Sequence, residues 1–467
     1  MARKRFTNVP ILTFHGAARC VTGSMHRLDY TSLSLLLDCG FVQGPRAESY
    51  RRNSTFPIRP KDIDAVLLSH AHIDHCGNLP NLLKQGFNGP IYCTPATRAL
   101  TAVMLGDAAK IQAEDCEYLN AHRASGEPEI EPLYGEGGVY RTLLKLRAIP
   151  YDTPTEVLPG VVVTFVDAGH LLGSAMIHVR MGEHSLTYTG DLGRPGIPIL
   201  RSPAPVPAAD VVVCESTYGG KTHPPIDETA ELLGDVVRRT ASRGGKLIIP
   251  AFSVGRTQTV LYFLHQLLES RRIPRLPIFV DSPMSIRATE VFRAHPECFD
   301  RPALELMRRH PDLFGDSHVQ YTEKQHESVA LNRFAGPCII ISASGMCEAG
   351  RVVHHLRHNI EDERATILLA GFQAEGTLGR RIVERRPTVR ILGRECRLRA
   401  EVISLPGLSS HADHPGIVSA LLPLRESVKK VRLVHGEPER AETMASGLKE
   451  AGFADVDVPE PGDTMIV

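Results

Sequence analysis

The chain has 467 residues, more than one ordinary domain needs, and its 42% hydrophobic and 23% charged residues mark it as folded globular material. Its 53 basic and 53 acidic side chains cancel, so no global field draws it to a polyanion; local basic patches or metal would have to hold such a partner. Ten scattered cysteines without a C-x-x-C pair argue against a thiolate zinc knuckle and a secreted disulfide framework, and no apolar run approaches the ~20 residues that span a bilayer. The basic start Arg3-Lys4-Arg5 leads into no apolar stretch, so no secretory leader is read there and a reducing cytoplasm is the expected address.

Along the chain, short Leu-rich and β-branched runs each stop at a polar residue. The run 32–37 ends at Asp38, and 65–68 leads into Ser69-His70-Ala71-His72-Ile73-Asp74-His75. A helix is predicted over 97–122. The run 161–166 then leads to His170, 186–189 to Asp191, and 211–214 ends at Glu215, while the prolines of 194–207 mark an extended loop. A second βα pattern follows, with helices over 226–242 and 256–272 and strands at 246–250, 277–281 and 337–342. It suggests a parallel sheet of its own. Strands at 402–404 and 431–434 then resume the strand-then-ligand pattern, the last ending at His435. The expected organisation is a Rossmann-like domain, 219–402, inserted into a metal-binding domain built from 1–218 and 403–467. Polar residues past the carboxyl ends of strands suit a site built on one rim of a packed sheet system.

Three imidazoles and a carboxylate within 70–75 supply the donor types that hold Zn²⁺ and related ions. His70 and His72 can turn to one side of a loop, while Asp74 and His75 face a second point nearby. Asp191 is the candidate carboxylate to bridge two ions, with His170 completing the first and His435 the second. Such a pair can clamp a hydrolytic water and neutralise charge on a phosphoryl group.

Together the H-x-H-x-D-H segment, His170, Asp191 in Thr189-Gly190-Asp191 and the strand-end Asp38 resemble the metallo-β-lactamase fold, an αβ/βα sandwich with its metal site along one edge. Further on, Glu215-Ser216-Thr217-Tyr218-Gly219 resembles motif A of the β-CASP branch, Ser409-Ser410-His411-Ala412-Asp413 motif B, and His435 motif C. Segments 250–258, 343–346 and 371–379 match that branch too. It includes the endonuclease of eukaryotic mRNA 3′-end processing and its bacterial and archaeal relatives.

The resemblance implies one Zn²⁺ on His70, His72 and His170, another on Asp74, His75 and His435, and Asp191 on both, with Mn²⁺ the alternative ion. Asp38 would orient a ligand histidine by accepting its other ring N–H, or else cap a local turn. Glu215 would pair with His411, raising its pKa so that it protonates the leaving 3′ oxygen, while Asp74 orients or deprotonates the attacking water. The implied activity is endonucleolytic hydrolysis of single-stranded RNA, leaving 5′-phosphate and 3′-hydroxyl ends, because a histidine at motif C accompanies the RNA-acting members. A general hydrolase of thioesters or small phosphodiesters and a 5′→3′ exoribonuclease are the alternatives; a homodimer is left open. No KH-type segment is read before Ile11, and only a helix and a strand are expected after His435.

In the inserted block, Ser253, Gly255 and Arg256 form a small-residue loop opening a helix, and Ser344-Gly345 a second loop after a strand. Together they suggest a phosphate-tracking cleft between the domains, although residues such as Ser253 and Thr257 are more often helix caps than ligands. Eight arginines against two glutamates over 380–399 are read as either a solvated face or an RNA-backbone contact.

Overall fold

A computed structural model of the chain describes residues 8–123, 128–310, 312–315, 317–371, 373, 375–405 and 407–467. It comprises two compact units, the first made of Met1–Pro195, Ser202–Thr222 and Ser410–Val467, the second of Gly196–Arg201 and His223–Ser409.

Two seven-stranded sheets form the first unit. One runs Thr464–Ile466, Ile11–Gly16, Met25–Tyr30, Leu33–Leu37, Ala65–Leu67, Ile91–Cys93, Leu146–Ala148. The other runs Val456–Asp457, Lys430–Val434, Val211–Glu215, His184–Tyr188, Ala175–Met181, Val161–Asp167, Thr155–Leu158. Side chains alternate across each strand, so two apolar faces arise from one run. Leu35 and Leu37 meet Val163, Phe165, Val211 and Val213 in the cluster between the sheets. Leu36 and Val66 face the opposite way, onto Leu79 and Leu105 of the helices Leu79–Lys84 and Pro95–Ala121. Val212 and Leu433 pack on Ile417 and Met444 of the helices His414–Leu421 and Pro438–Glu450. The layers are therefore helix, sheet, sheet, helix.

Strand direction decides where the site lies. Leu33–Leu37 is parallel to Ala65–Leu67, and Val211–Glu215 is parallel to both His184–Tyr188 and Lys430–Val434. Their carboxyl ends, and the polar residues just beyond them, consequently share a rim. The register places Glu215 opposite Val434, one residue short of His435.

A six-stranded parallel sheet forms the second unit, ordered Val319–Tyr321, Ile278–Val280, Cys338–Ser342, Lys246–Pro250, Thr366–Leu369, Glu401–Ser404, with a hairpin of Thr388–Ile391 and Arg394–Arg397 beside it. Here the sequence expectation needs correction. The strand predicted at 402–404 pairs with Thr366–Leu369 at this sheet's edge and does not resume the ligand pattern; the chain changes unit between Ser409 and Ser410. Apolar alternation announces a strand but not which sheet receives it. Among the described residues, no helix is long and apolar enough to cross a membrane, and all ten cysteines are free.

Candidate metal centre

The loop after Ala65–Leu67 carries His70 and His72, and a short helix, Ile73–Cys76, lifts Asp74 and His75 from the same segment. Its backbone is locked to the preceding strand end: Ser24 N–H donates to the Asp74 carbonyl at 2.7 Å, and the Gly40 backbone packs so closely on that carbonyl that a Cβ would collide with it. Gly190, just before Asp191, has φ +53° and no room for a Cβ beside Ser69.

Donor atoms converge at two points. At the first, His72 Nδ1 lies 3.0 Å from His70 Nε2 and 3.3 Å from His170 Nε2, while Asp191 Oδ2 lies 3.4 and 3.5 Å from His70 and His170 Nε2. At the second, His435 Nε2 lies 3.4 Å from His75 Nε2 and 3.3 Å from Asp74 Oδ2, and Asp191 Oδ1 lies 3.3 Å from His75 Nε2. A tetrahedral ion bound at ~2.0–2.1 Å holds its donors about 3.3 Å apart, and the measured spacings match such edges: His70, His72, His170 and Asp191 lie within 4.8 Å of one another, as do Asp74, His75 and His435, with Asp191 reaching the second group at His75. Asp191 Oδ1 is buried and accepts no hydrogen bond, a costly state that a cation would relieve. The residues therefore fit two metal ions sharing Asp191.

Protonation favours the first set. Burial, then neighbouring imidazoles, pushes the His72 pKa down to about 3, and the His170 and His70 pKa values are lowered chiefly by burial. Their lone pairs are free, as metal binding requires. Burial opposes charge on His75 too, but Asp191 and Asp38 together override it and hold its pKa well above the usual range. Burial would raise the Asp191 carboxyl; the histidines around it, His435 and His75 foremost, hold it well below instead.

Asp38 sits behind His75. Its Oδ2 accepts from His75 Nδ1 at 2.7 Å, Ser69 Oγ at 2.7 Å and Tyr188 OH at 2.8 Å, and its Oδ1 accepts the Ser69 N–H at 2.7 Å. These partners lie on a loop, a helix and a strand distant in sequence, so Asp38 is no cap of its own turn. Glu215 and His411 also meet. His411 Nδ1 lies 2.9 and 3.1 Å from the two Glu215 oxygens, which also accept the Leu192 N–H at 2.7 Å and the Thr217 N–H at 3.3 Å. His411 Nε2 faces Asp191 Oδ2 at 4.0 Å. Burial lowers the His411 pKa, but Glu215 and then Asp191 outweigh it and bring it up to about 9.

The sequence reading missed the groups behind these residues. Tyr188 OH and Ser69 anchor Asp38, and Thr217 Oγ1 lies 3.1 Å from His435 Nδ1. Its place at the carboxyl end of the strand His184–Tyr188, three residues before Asp191, was the available signal for Tyr188.

In the second unit, the loops after Lys246–Pro250, Cys338–Ser342 and Thr366–Leu369 leave three adjacent parallel strands. A Cβ on Gly345 would press on Phe252, and the Gly345 carbonyl accepts from Gln373 Nε2 at 2.9 Å. Ser253 is buried with its Oγ 3.4 Å from Ser282 Oγ, and Arg256 donates to the Ala370 carbonyl. Two expectations change here. Gly255, with φ +78°, holds the cap position of the helix Arg256–Glu269, so neither Ser253 nor Thr257 caps it, and the Thr257 hydroxyl donates to the Phe252 carbonyl at 2.9 Å. The Arg256 and Thr257 amides already donate to Val254 and Phe252, which removes both from the expected anion cradle. Of the arginine run, Arg380 and Arg386 pair with Glu384, Arg394 with Glu361 and Arg399 with Glu363. Exposed Arg390 and Arg397 lie on the outer face of the hairpin.

A helix–sheet–sheet–helix sandwich with histidines and aspartates along one rim defines the metallo-β-lactamase class. Comparison with known proteins agrees. Family models described as metallo-beta-lactamase superfamily, Beta-Casp domain and Zn-dependent metallo-hydrolase RNA specificity domain match residues 32–251, 257–382 and 395–459. A ribonuclease of Thermus thermophilus is 38% identical over 91% of this chain and 93% of its own length. The transcription termination factors FttA of Cenarchaeum symbiosum and Methanocaldococcus jannaschii are each 30% identical over 94% of this chain and 68% of theirs. A crystal structure of an Enterococcus faecalis protein of unknown function shares the fold, with TM-score 0.56 and 13% identity over 98% of this chain and 100% of that one. The chain belongs to the metallo-β-lactamase superfamily, in its β-CASP ribonuclease branch.

Proposed function

We propose that this protein is a metal-dependent hydrolytic ribonuclease that cuts single-stranded RNA internally in the cytoplasm. The observation that carries this reading is Asp191, whose Oδ2 completes the set of His70, His72 and His170 and whose Oδ1 lies 3.3 Å from His75 of the second set. His70, His72 and His170 would hold one ion and Asp74, His75 and His435 the other, Zn²⁺ suiting the nitrogen-rich sets and Mn²⁺ being the alternative. When bound, such a pair supplies a nucleophilic water near neutral pH and positive charge against the phosphate. Asp74, the more exposed carboxylate of the rim, would orient that water or take its proton. Asp38 fixes the His75 ring so that Nε2 faces the site. Glu215 holds the Nδ1 proton of His411, leaving the Nε2 proton for the departing 3′ oxygen, and a pKa near 9 keeps it in place at neutral pH. The products would be a 5′-phosphate and a 3′-hydroxyl.

The ribonuclease name of the Thermus thermophilus relative and the RNA specificity match over 395–459 support RNA as the polymer. Arg256, Ser344 and the close-packed Gly345 loop, with Ser253 and Gly255 behind them, are assigned to the RNA backbone. The test is end-labelled RNA incubated with zinc-loaded protein beside single- and double-stranded DNA. Internal RNA fragments are expected. Stepwise loss of nucleotides from the 5′ end would replace the endonuclease with the exonuclease, and uncut RNA would overturn the assignment.

A further inference from the structure

The helix Arg256–Glu269 ends with His265 and Glu269 one turn apart, hence on one face. His310, at the end of the helix Arg301–Arg309, reaches the same place; its N–H donates to the Leu306 carbonyl at 2.9 Å, which fixes its backbone. His310 Nε2 lies 2.9 Å from Glu269 Oε1, and the His265 and His310 rings meet edge to face with centroids 5.0 Å apart. One donor atom from each of the three lies within 4.8 Å of the other two. All three belong to the second unit and none takes part in the chemistry assigned above.

The geometry points to a separate divalent-metal site here, of the two-histidine, one-carboxylate type, taking Zn²⁺ or a similar borderline ion with water as its fourth donor. Two imidazoles select such an ion over Mg²⁺ or Ca²⁺, which take oxygen donors. Buried His265 is a fixed anchor, whereas exposed Glu269 and half-buried His310 are free to close the widest gap toward the ~3.3 Å edge of a tetrahedral site. The C-terminus of the fourteen-residue helix adds carbonyl dipoles that favour a cation. An ion so held would tie the ends of two helices together. The plain alternative, an inter-helix ion pair, has no use for zinc.

The test compares the full-length wild-type chain with His310→Ala and Glu269→Gln, both at accessible positions, by equilibrium dialysis against buffered micromolar Zn²⁺. Wild type should bind one more equivalent of zinc per chain than either variant, and zinc should raise its Tm by more, while RNA cleavage is unchanged. The difference between wild type and variants is the readout, so a failure of the rim assignment would not disguise the result. Equal zinc content in all three chains, or a difference seen only at millimolar zinc, would overturn the site.

Discussion

Asp38 Oδ2 lies 2.7 Å from His75 Nδ1, both side chains fully buried, and this bond sets which nitrogen of His75 faces the rim. The carboxylate is itself held by Ser69 and Tyr188. Asp38→Asn should therefore lower zinc affinity by about 10- to 100-fold without touching a ligand. Dialysis against buffered zinc measures this; an unchanged affinity would show that the ring needs no such anchor.

Glu215 and His411 form the second pairing. His411→Ala should keep the metal content and lower kcat about 10²- to 10⁴-fold, and Glu215→Gln should lower kcat in the same direction. Metal analysis beside single-turnover RNA cleavage separates the roles. Loss of zinc equal to the loss of turnover in His411→Ala would make His411 a ligand, an arrangement its place beside Asp191 and Glu215 also permits.

Much of this was legible in the chain. The rim residues stand where strands run out, at Asp38, His70, His170, Asp191, Glu215 and His435, because a buried apolar run cannot end in ionisable groups without a use for them. What stayed hidden depends on partners distant in sequence. The strand Glu401–Ser404 reads like its neighbours, and only its pairing with Thr366–Leu369 places it in the inserted sheet. The Gly255 loop has the composition of an anion cradle, yet its Arg256 and Thr257 amides are taken by local carbonyls, which no spacing rule reports.

Asp281 is one such hidden residue. Fully buried in the second unit, it accepts from Arg351 Nη1 at 2.7 Å and Ser328 Oγ at 2.5 Å and lies 2.6 Å from His355 Nε2. Burial would raise its pKa, but the bonds from His355, Ser328 and Arg351 outweigh that and hold it below its ordinary 3.8. A depressed carboxylate stabilises the fold fully above the ordinary value and loses its contribution as pH falls through the lower, folded one. Asp281→Asn should cost about 3–5 kcal/mol in urea unfolding near neutrality. Below the ordinary carboxylate range, where the Asp281 carboxylate takes up its proton, the gap to wild type should narrow. A gap that widened as the pH fell through that range would contradict the sign.

The arginine run divides by pairing. Arg390→Ala with Arg397→Ala, on the exposed hairpin face, should weaken RNA binding and flatten its salt dependence by about 0.7 in log–log slope for each phosphate no longer neutralised. Arg380 and Arg386, which share the carboxylate of Glu384, should matter less. Filter binding across a salt series checks both, and equal slopes in all variants would return the run to plain surface.

The central claim is that seven rim side chains share two ions across Asp191, and anomalous diffraction at the zinc edge from metal-loaded crystals tests it most directly. Two peaks about 3.5–4 Å apart, one on each side of the Asp191 carboxylate, are expected. A single peak, or none beside Asp191, would contradict it.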